Sequence, residues 1–465
     1  MNLVEAPASL LRPTEKLQEA DGALLELLNK HTLEDDDFWS SKDRDRNDSA
    51  HGIFQYPAMM VPIVQRRLLA AVRQVQPNAA SLYDPFVGAG TSLVSAMHFG
   101  MKAYGNDINP LAVLISRVRT SQETNPHICD ICEDVANFAV ADKSVVVETV
   151  IPNLNKWFKP DVALELSRLR RAIRRQTEPW VRQFLWVALA ETVRLTSNDR
   201  TSTYKLHARP KEEIVKRNLS PVQVFKNVAK ANADSIASFR EQLSSTNKII
   251  LGKYISKTEV RLIDTRENLC QAWGGGGKFD TLMTSPPYGD NHTTVTYGQH
   301  SYLPLHWIDL EDIDSAVDSS TLRTTQEIDR RSLGGKGRLS DKEIERILLA
   351  SRSLQDFSNN LPKKPSDGRD RLLRFYIDFF ASLGRIVDLI KTNGYMVWTV
   401  GNRSIAGKQV PTDKILCELL EGLGARYLNT LTRTIHHKRM PDRNASSATM
   451  REEKIVIFRK VGVNE

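Results

Sequence analysis

The sequence predicts an α/β protein, a doubly wound and mostly parallel sheet with a mainly helical domain inserted into it. Three observations predict this. Apolar runs of strand length alternate with amphipathic helical stretches over residues 51–119, and the alternation returns over 258–465. Between these parts, residues 120–257 carry arginine-rich helical periodicity rather than strands. Two of the apolar runs end in turns of fixed shape, one rich in glycine and one with paired prolines, at the sheet edge where ligands bind. Residues 1–50 form a polar N-terminal extension.

With 465 residues, 41% of them hydrophobic and seven of them tryptophan, the chain is long enough for two or three domains and a true core. Its formal charge of +8 admits a polyanionic partner. Four cysteines, at 129, 132, 270 and 417, are too few for a disulfide framework at this length. "MNLVEAPASLLRPTEK" lacks the basic-then-apolar pattern of an export signal, and no apolar run is long enough to span a bilayer. The expected home is a reducing cytoplasm, with no membrane partner.

Taken in order, an amphipathic helix is expected near Leu24–Leu28. "HGIFQYPAMMVPIVQRRLLAAV" begins irregular and becomes helical, with Val61, Val64, Leu68 and Val72 on one stripe. "SLYDPFVGAGTSLVSAMHFGMKAYGNDINP" reads as strand, glycine turn, helix and strand, and another helix starts near Leu111. In the insertion, "VALELSRLRRAIRRQ" sets Leu166, Leu169 and Ile173 on one side and Arg168, Arg171 and Arg175 on another. "FLWVALAETVRL" reads as a buried helix and "TSNDRTSTYKLHARP" as a polar loop. Strands return at 259–264 and 279–284, with glycines 274–277 as a flexible link. Residues 310–370 are expected to be a mobile basic insertion. A helix at 371–391, a strand at 394–400, a helix near 413–423 and two closing strands complete the pattern.

The turn Asp84-Pro85-Phe86-Val87-Gly88-Ala89-Gly90-Thr91 lets the backbone approach a ligand closely. Asp107 ends the next strand, where a carboxylate can accept hydrogen bonds from ribose hydroxyls. Leu93 stands where a dinucleotide fingerprint has its third glycine, and the phosphate-gripping turn is absent. A ligand with a ribose and no phosphate fits, although glycines alone also suit an ordinary tight turn. In "FDTLMTSPPYGD", two prolines remove two backbone donors, so the strand stops before Ser285-Pro286-Pro287-Tyr288 and a stiff loop follows.

Together, "DPFVGAGT", "GNDINPLA" and "TSPPY" resemble the DNA amino-methyltransferases that use S-adenosylmethionine. The match is to the N4-cytosine group, whose catalytic loop is typically Ser-Pro-Pro-Tyr; the N6-adenine group more often has Asp first. The resemblance implies a Rossmann-like methyltransferase sheet. It places Phe86, Gly88 and Gly90 along the methionine part of the cofactor, with Asp84 and Thr91 nearby. It gives the ribose to Asp107, the adenine amino group to Asp264, and closure over the cofactor to the segment around Tyr56 and Pro57.

The implied chemistry explains the stiff loop. A cytosine amine is a poor nucleophile because its lone pair is conjugated with the ring. Acceptors that bind both amine hydrogens turn that pair toward the methyl group. Ser285 Oγ and the Pro286 carbonyl are the candidate acceptors, Pro287 stiffens the loop, and Tyr288 offers a stacking face. The base has to be flipped out of a duplex to reach them. Tyr297, His300 and Tyr302 are candidates to wall its pocket. The C5-cytosine route needs a Pro-Cys loop after a strand, and neither Cys270 nor Cys417 supplies one.

Residues 166–182 hold six arginines and one glutamate, which reads either as a solvated helix face or as a DNA surface. Arg168, Arg171, Arg175, Arg200 and Lys205 are candidate contacts to double-stranded DNA, with Tyr297. The stretches "RRSLGGKGR" and "LPKKPSDGRDR" are further basic candidates. "HICDIC" has one Cys-x-x-Cys and no second pair, so no metal is expected, and "HHKRMPDRN" reads as a basic loop. The expectation is a site-specific DNA methyltransferase acting on cytosine N4 in a restriction–modification or related defence system, with a cognate restriction endonuclease as partner. N6-adenine methylation and RNA guanine-N2 methylation are the alternatives.

Overall fold

The computed structural model describes residues 13–35, 37–41, 48–291, 293–335, 337, 339–361, 368–435 and 451–461. The "HHKRMPDRN" stretch, Lys336 and Arg338 of "RRSLGGKGR", and 362–367 of "LPKKPSDGRDR" lie outside the described residues.

Helix α1 (Pro13–Glu34) precedes α2 (Pro62–Val75), which starts with a proline at its first position, where no backbone donor is needed. The first unit runs β1 (Ser81–Asp84), α3 (Thr91–His98), β2 (Lys102–Asp107) and α4 (Pro110–Arg119). Asn109 caps α4 by accepting from Leu111 N. The insertion holds α5 (Ile128–Ala141), α6 (Leu154–Trp157), α7 (Pro160–Arg174), α8 (Pro179–Thr196), α9 (Lys211–Lys216) and α10 (Pro221–Ser245). A small hairpin, β3 (Ile249–Ile250) and β4 (Lys253–Tyr254), follows it. The chain then runs β5 (Thr258–Leu262), α11 (Leu269–Trp273), β6 (Phe279–Thr284) and α12 (Tyr297–Trp307). Next come α13 (Glu327–Arg331), α14 (Asp341–Ala350), α15 (Arg352–Asn359), α16 (Arg369–Leu389) and β7 (Ile390–Val400). A second small hairpin, β8 (Ser404–Ile405) and β9 (Lys408–Gln409), leads to α17 (Thr412–Glu421), β10 (Ala425–Thr434) and β11 (Glu452–Lys460).

The seven-stranded sheet has the order β10-β11-β7-β6-β1-β2-β5. Strands β5, β2, β1, β6 and β7 are parallel, while β11 is antiparallel to both β7 and β10. This is the α/β sheet the sequence predicts. The chain moves outward from β1 through β2 to β5, then returns to lay β6 on the other side of β1. The order therefore reverses between β1 and β6, and such a reversal opens a crevice at the carboxyl ends of the two strands.

Side chains alternate across the pleat and build two cores. Leu82, Met283, Val397 and Ile457 face one side, under α2–α5, α7, α8, α10 and α12. Tyr83, Leu282, Met396 and Phe458 face the other, under α11 and α14–α17. β6 is a central strand buried on both faces at every position but Asp280. In α8, Phe184 through Ala190 are all buried, so its apolar run is a helix surrounded by protein.

One local expectation changes. Glycines 274–277 close α11 rather than link loosely: Gly274 takes φ +78°, Gly275 N donates to Cys270 O, and Gly277 N donates to Asp388 O. The described residues of 310–370 carry α13–α15, and Ile347 and Leu354 are buried in the second core. Polar composition hid these helices, because each buries only one or two apolar residues.

The arginine run has carboxylate partners. Arg170 and Arg174 bind Asp309 at 2.7 and 2.6 Å, and Arg182, Gln183 and Trp186 all bind Asp312. From the sheet side, Arg117 of α4 reaches Asp314 at 2.9 Å. The insertion and the sheet thus meet at the acidic turn that follows α12.

Candidate active site

A cavity opens at the reversal between β1 and β6. Its walls include Tyr56, Pro57, Phe86, Gly88, Thr91, Asp107, Asp264, Ser285, Pro287 and Tyr297. Residues from five separate stretches of sequence therefore share one wall. Asp84, Gly90, Pro286 and Tyr288 do not line it.

The glycine turn is built from the backbone outward. Gly88 and Gly90 take φ of +49° and +82°, a region that costs a side chain but not a glycine. Gly88 N donates to Asp107 Oδ2 at 2.9 Å, and Asn109 N donates to Asp107 Oδ1 at 2.9 Å. Burial pushes the Asp107 carboxyl up to about 6, against these two backbone donors that hold it down. The Tyr56 ring sits over this turn: a Cβ on Gly88 would meet it at 3.5 Å, an ordinary contact, so the turn needs glycine there for its backbone angle and not for space. Tyr56 Oη accepts from Asn109 Nδ2 at 3.1 Å, and its ring stacks near Tyr297 with centroids 5.8 Å apart.

Asp84 works from behind the wall. It is fully buried and accepts from Phe86 N at 3.0 Å, from Thr284 Oγ1 at 2.6 Å and from Ser92 Oγ. One carboxyl thus ties the glycine turn, α3 and the last residue of β6 together, and burial raises it to about 6. Asp264 lines the cavity and is paired with Arg266 at 2.6 Å, which also reaches Asp378 at 3.1 Å.

In the proline loop, Ser285 Oγ lies 3.2 Å from Tyr288 Oη, and Tyr288 Oη donates to Glu453 Oε1 at 3.0 Å. The loop leaves β6 straight into the cavity, and its stiffness comes from the two prolines.

No family model matches the chain. Over 466 aligned residues, 96% of this chain and 98% of the relative, it is 29% identical to the Type II methyltransferase M.MvaI of Kocuria varians. A stretch of 101 residues, 22% of this chain and 18% of the relative, is 31% identical to the Type II methyltransferase M.MjaII of Methanocaldococcus jannaschii. These findings support a methyltransferase. Among solved structures, the rRNA methyltransferase aviRa of Streptomyces viridochromogenes is similar at a TM-score of 0.30 and 11% identity, over 90% of this chain and 94% of that one.

Several residues around this cavity carry no local signal in the sequence. Arg119 is fully buried and donates to the carbonyls of Ala89, His51 and Phe54, which ties the glycine turn to the segment before α2. Burial lowers its pKa to about 9. Arg403 pairs with buried Asp290 at 2.9 Å and lies directly over Gly289. Glu453 and Arg433 pair at 3.0 Å behind Tyr288. Of the expected wall residues, Tyr297 lines the cavity, whereas His300 sits behind Tyr56 and Tyr302 packs on His306.

The basic candidates fall in two places. The loop with Arg200 and Lys205 touches the start of α12: Thr296 Oγ1 donates to Tyr204 O at 3.1 Å, and Leu206 N donates to Gln299 Oε1 at 3.2 Å. Both Arg200 and Lys205 are exposed there. On α7, Arg171 pairs with Asp142 at 2.7 Å, Arg168 donates to Ser144 O, and Arg175 lies over the Phe138 ring at 4.4 Å. Among the described residues, no helix is long and apolar enough to cross a membrane, and no group of three or more His, Cys, Asp or Glu is arranged to hold a metal.

Proposed function

We propose that the chain methylates DNA, moving a methyl group from S-adenosylmethionine to the exocyclic N4 amine of a flipped cytosine. The observation that carries this is the shared cavity: Ser285 of the proline loop faces the same space as Gly88, Asp107 and Asp264. The residues suit the cofactor. A left-handed glycine turn beneath Tyr56, two carboxylates at adjacent strand ends and no phosphate-gripping turn match a ligand with ribose and amine donors and no phosphate. When bound, S-adenosylmethionine supplies an electrophilic methyl group on a sulfonium.

The chain's own residues supply the rest. Asp107 accepts the ribose hydroxyls, Asp264 accepts the adenine amine, and Phe86, Gly88, Gly90 and Thr91 shape the methionine end, with Asp84 fixing their backbone. Tyr56 and Pro57 close over the top and exclude water. Ser285 Oγ and the Pro286 carbonyl accept the two amine hydrogens of the target, Pro287 keeps the loop stiff, and Tyr288 with Tyr297 holds the base. Arg200 and Lys205, exposed beside α12, grip phosphate near the entry. Arg168, Arg171 and Arg175 already have partners inside the protein, which favours the 200–209 loop as the DNA contact.

The Type II names of the relatives favour a restriction–modification setting, with an endonuclease of matching specificity as partner. The test is to incubate the protein with duplex DNA and labelled S-adenosylmethionine and to identify the methylated nucleoside by mass spectrometry. N4-methylcytosine is expected. N6-methyladenine would move the same acceptor geometry to adenine, and label found only in RNA guanine would overturn the DNA assignment.

A further inference from the structure

Ser285 stands at the head of a hydrogen-bond chain with a fixed direction. Its Oγ lies 3.2 Å from Tyr288 Oη, which donates at 3.0 Å to Glu453 Oε1. The other oxygen, Glu453 Oε2, binds the Arg433 guanidinium at 3.0 Å, and Arg433 is only 3% exposed. Arg433 and Glu453 face each other across the β10–β11 pair, so the closing hairpin presents this carboxylate to the loop. A phenol has one hydrogen, and here the carboxylate takes it. The contact between Ser285 and Tyr288 can then run only from serine to tyrosine. The serine hydrogen is drawn away, and its lone pairs are left for an incoming N–H. A chain that ends on an anion also polarises each hydroxyl along it.

We propose that Glu453, set by Arg433, is a positioning residue that acts through Tyr288 to fix Ser285 Oγ as an acceptor for the target amine. This rests on the amino-methylation proposed above. It also accounts for tyrosine at 288: phenylalanine would stack equally well but could not pass on the direction. Glu453→Gln should reverse the chain. Its oxygen turns to Arg433, its NH2 donates to Tyr288, and Tyr288 then donates to Ser285, which frees the serine hydrogen to oppose the amine.

The experiment is a double-mutant cycle with Tyr288→Phe, Glu453→Gln and the pair of them. Single-turnover methylation of duplex DNA is read beside cofactor affinity by calorimetry, thermal melting, and base extrusion by 2-aminopurine fluorescence at the methylated position. Each single variant should lose about ten- to hundredfold in kcat, the scale of a misplaced reacting group. KM for DNA, cofactor affinity and the 2-aminopurine signal should stay within about twofold. The double variant should be no slower than Tyr288→Phe alone. Additive losses, unchanged kcat in Tyr288→Phe, or an equal loss of cofactor or DNA binding would overturn the proposal. If the wild-type protein moves no methyl group to nucleic acid, the function itself fails, and the proposal goes with it.

Discussion

Asp107→Asn tests the proposed cofactor pocket most directly. In the wild type each carboxylate oxygen accepts one backbone N–H, from Gly88 and from Asn109, both at 2.9 Å. Asparagine has a single oxygen, so in either orientation its NH2 faces a peptide donor. One bond to a charged acceptor is lost, worth about 1.5–3 kcal/mol, and a donor is left facing a donor. That internal loss lowers stability. The ribose hydroxyls would also lose a charged acceptor, worth a similar amount, about 1.5–3 kcal/mol, and at about 1.4 kcal/mol per decade cofactor affinity should fall about 10- to 150-fold. Calorimetry with S-adenosylmethionine at pH 8 measures this. The pH dependence adds a second arm. Burial raises Asp107 to about 6, so its ionised form is complete above about 7 and lost as pH falls through 6. Wild-type affinity should be flat from pH 7 to 8 and about tenfold weaker near pH 5, whereas the asparagine variant should be flat throughout. Stability moves in the opposite sense. A carboxyl raised from 3.8 to about 6 takes up protons more readily in the folded state, so its contribution falls as pH rises from 4 to 6, by at most about 3 kcal/mol. An Asp107→Asn protein that binds the cofactor within threefold of wild type, with an unchanged pH profile, would refute the role given to this carboxylate.

Other perturbations probe the surroundings. In Gly105→Ala the new Cβ would lie 2.7 Å from Val87 Cγ2 and 3.2 Å from Asp84 O. Thermal melting should show a loss of about 1–3 kcal/mol, and calorimetry a weaker cofactor. Arg403→Ala leaves Asp290 buried without its cation and should cost about 3–5 kcal/mol in denaturant titration, most of it recovered by adding Asp290→Asn. Arg200→Ala and Lys205→Ala should each weaken binding to any duplex and reduce the slope of log affinity against log salt by about 1, as measured by fluorescence anisotropy.

The sheet and its two loops were legible because glycine and proline punctuate strands with local meaning. Gly88, Gly90 and the Pro286-Pro287 pair each answer to a backbone demand that a short window reveals. The supporting carboxylates and cations were not legible. Asp84 meets Ser92 eight residues away and Thr284 two hundred residues away, so its post behind the wall depends on strand order. Glu453, Arg433 and Arg403 come from strands or strand ends whose neighbours only the finished sheet defines. The α7 arginines show the same limit: charge sign can be counted along a helix, but Asp309 lies 135 and 139 residues from the arginines that hold it.

Those staples on Asp309 and Asp312 bear on how the enzyme could be re-engineered. The helical body is bolted to a turn only two residues past the helix that starts at Tyr297, so it cannot be exchanged as a free cassette. A chimera that imports a foreign body without matching cations would strand two acidic side chains at the end of that helix. A graft has to carry both halves of the seam, the arginines and the acidic turn, if it is to keep that helix in place.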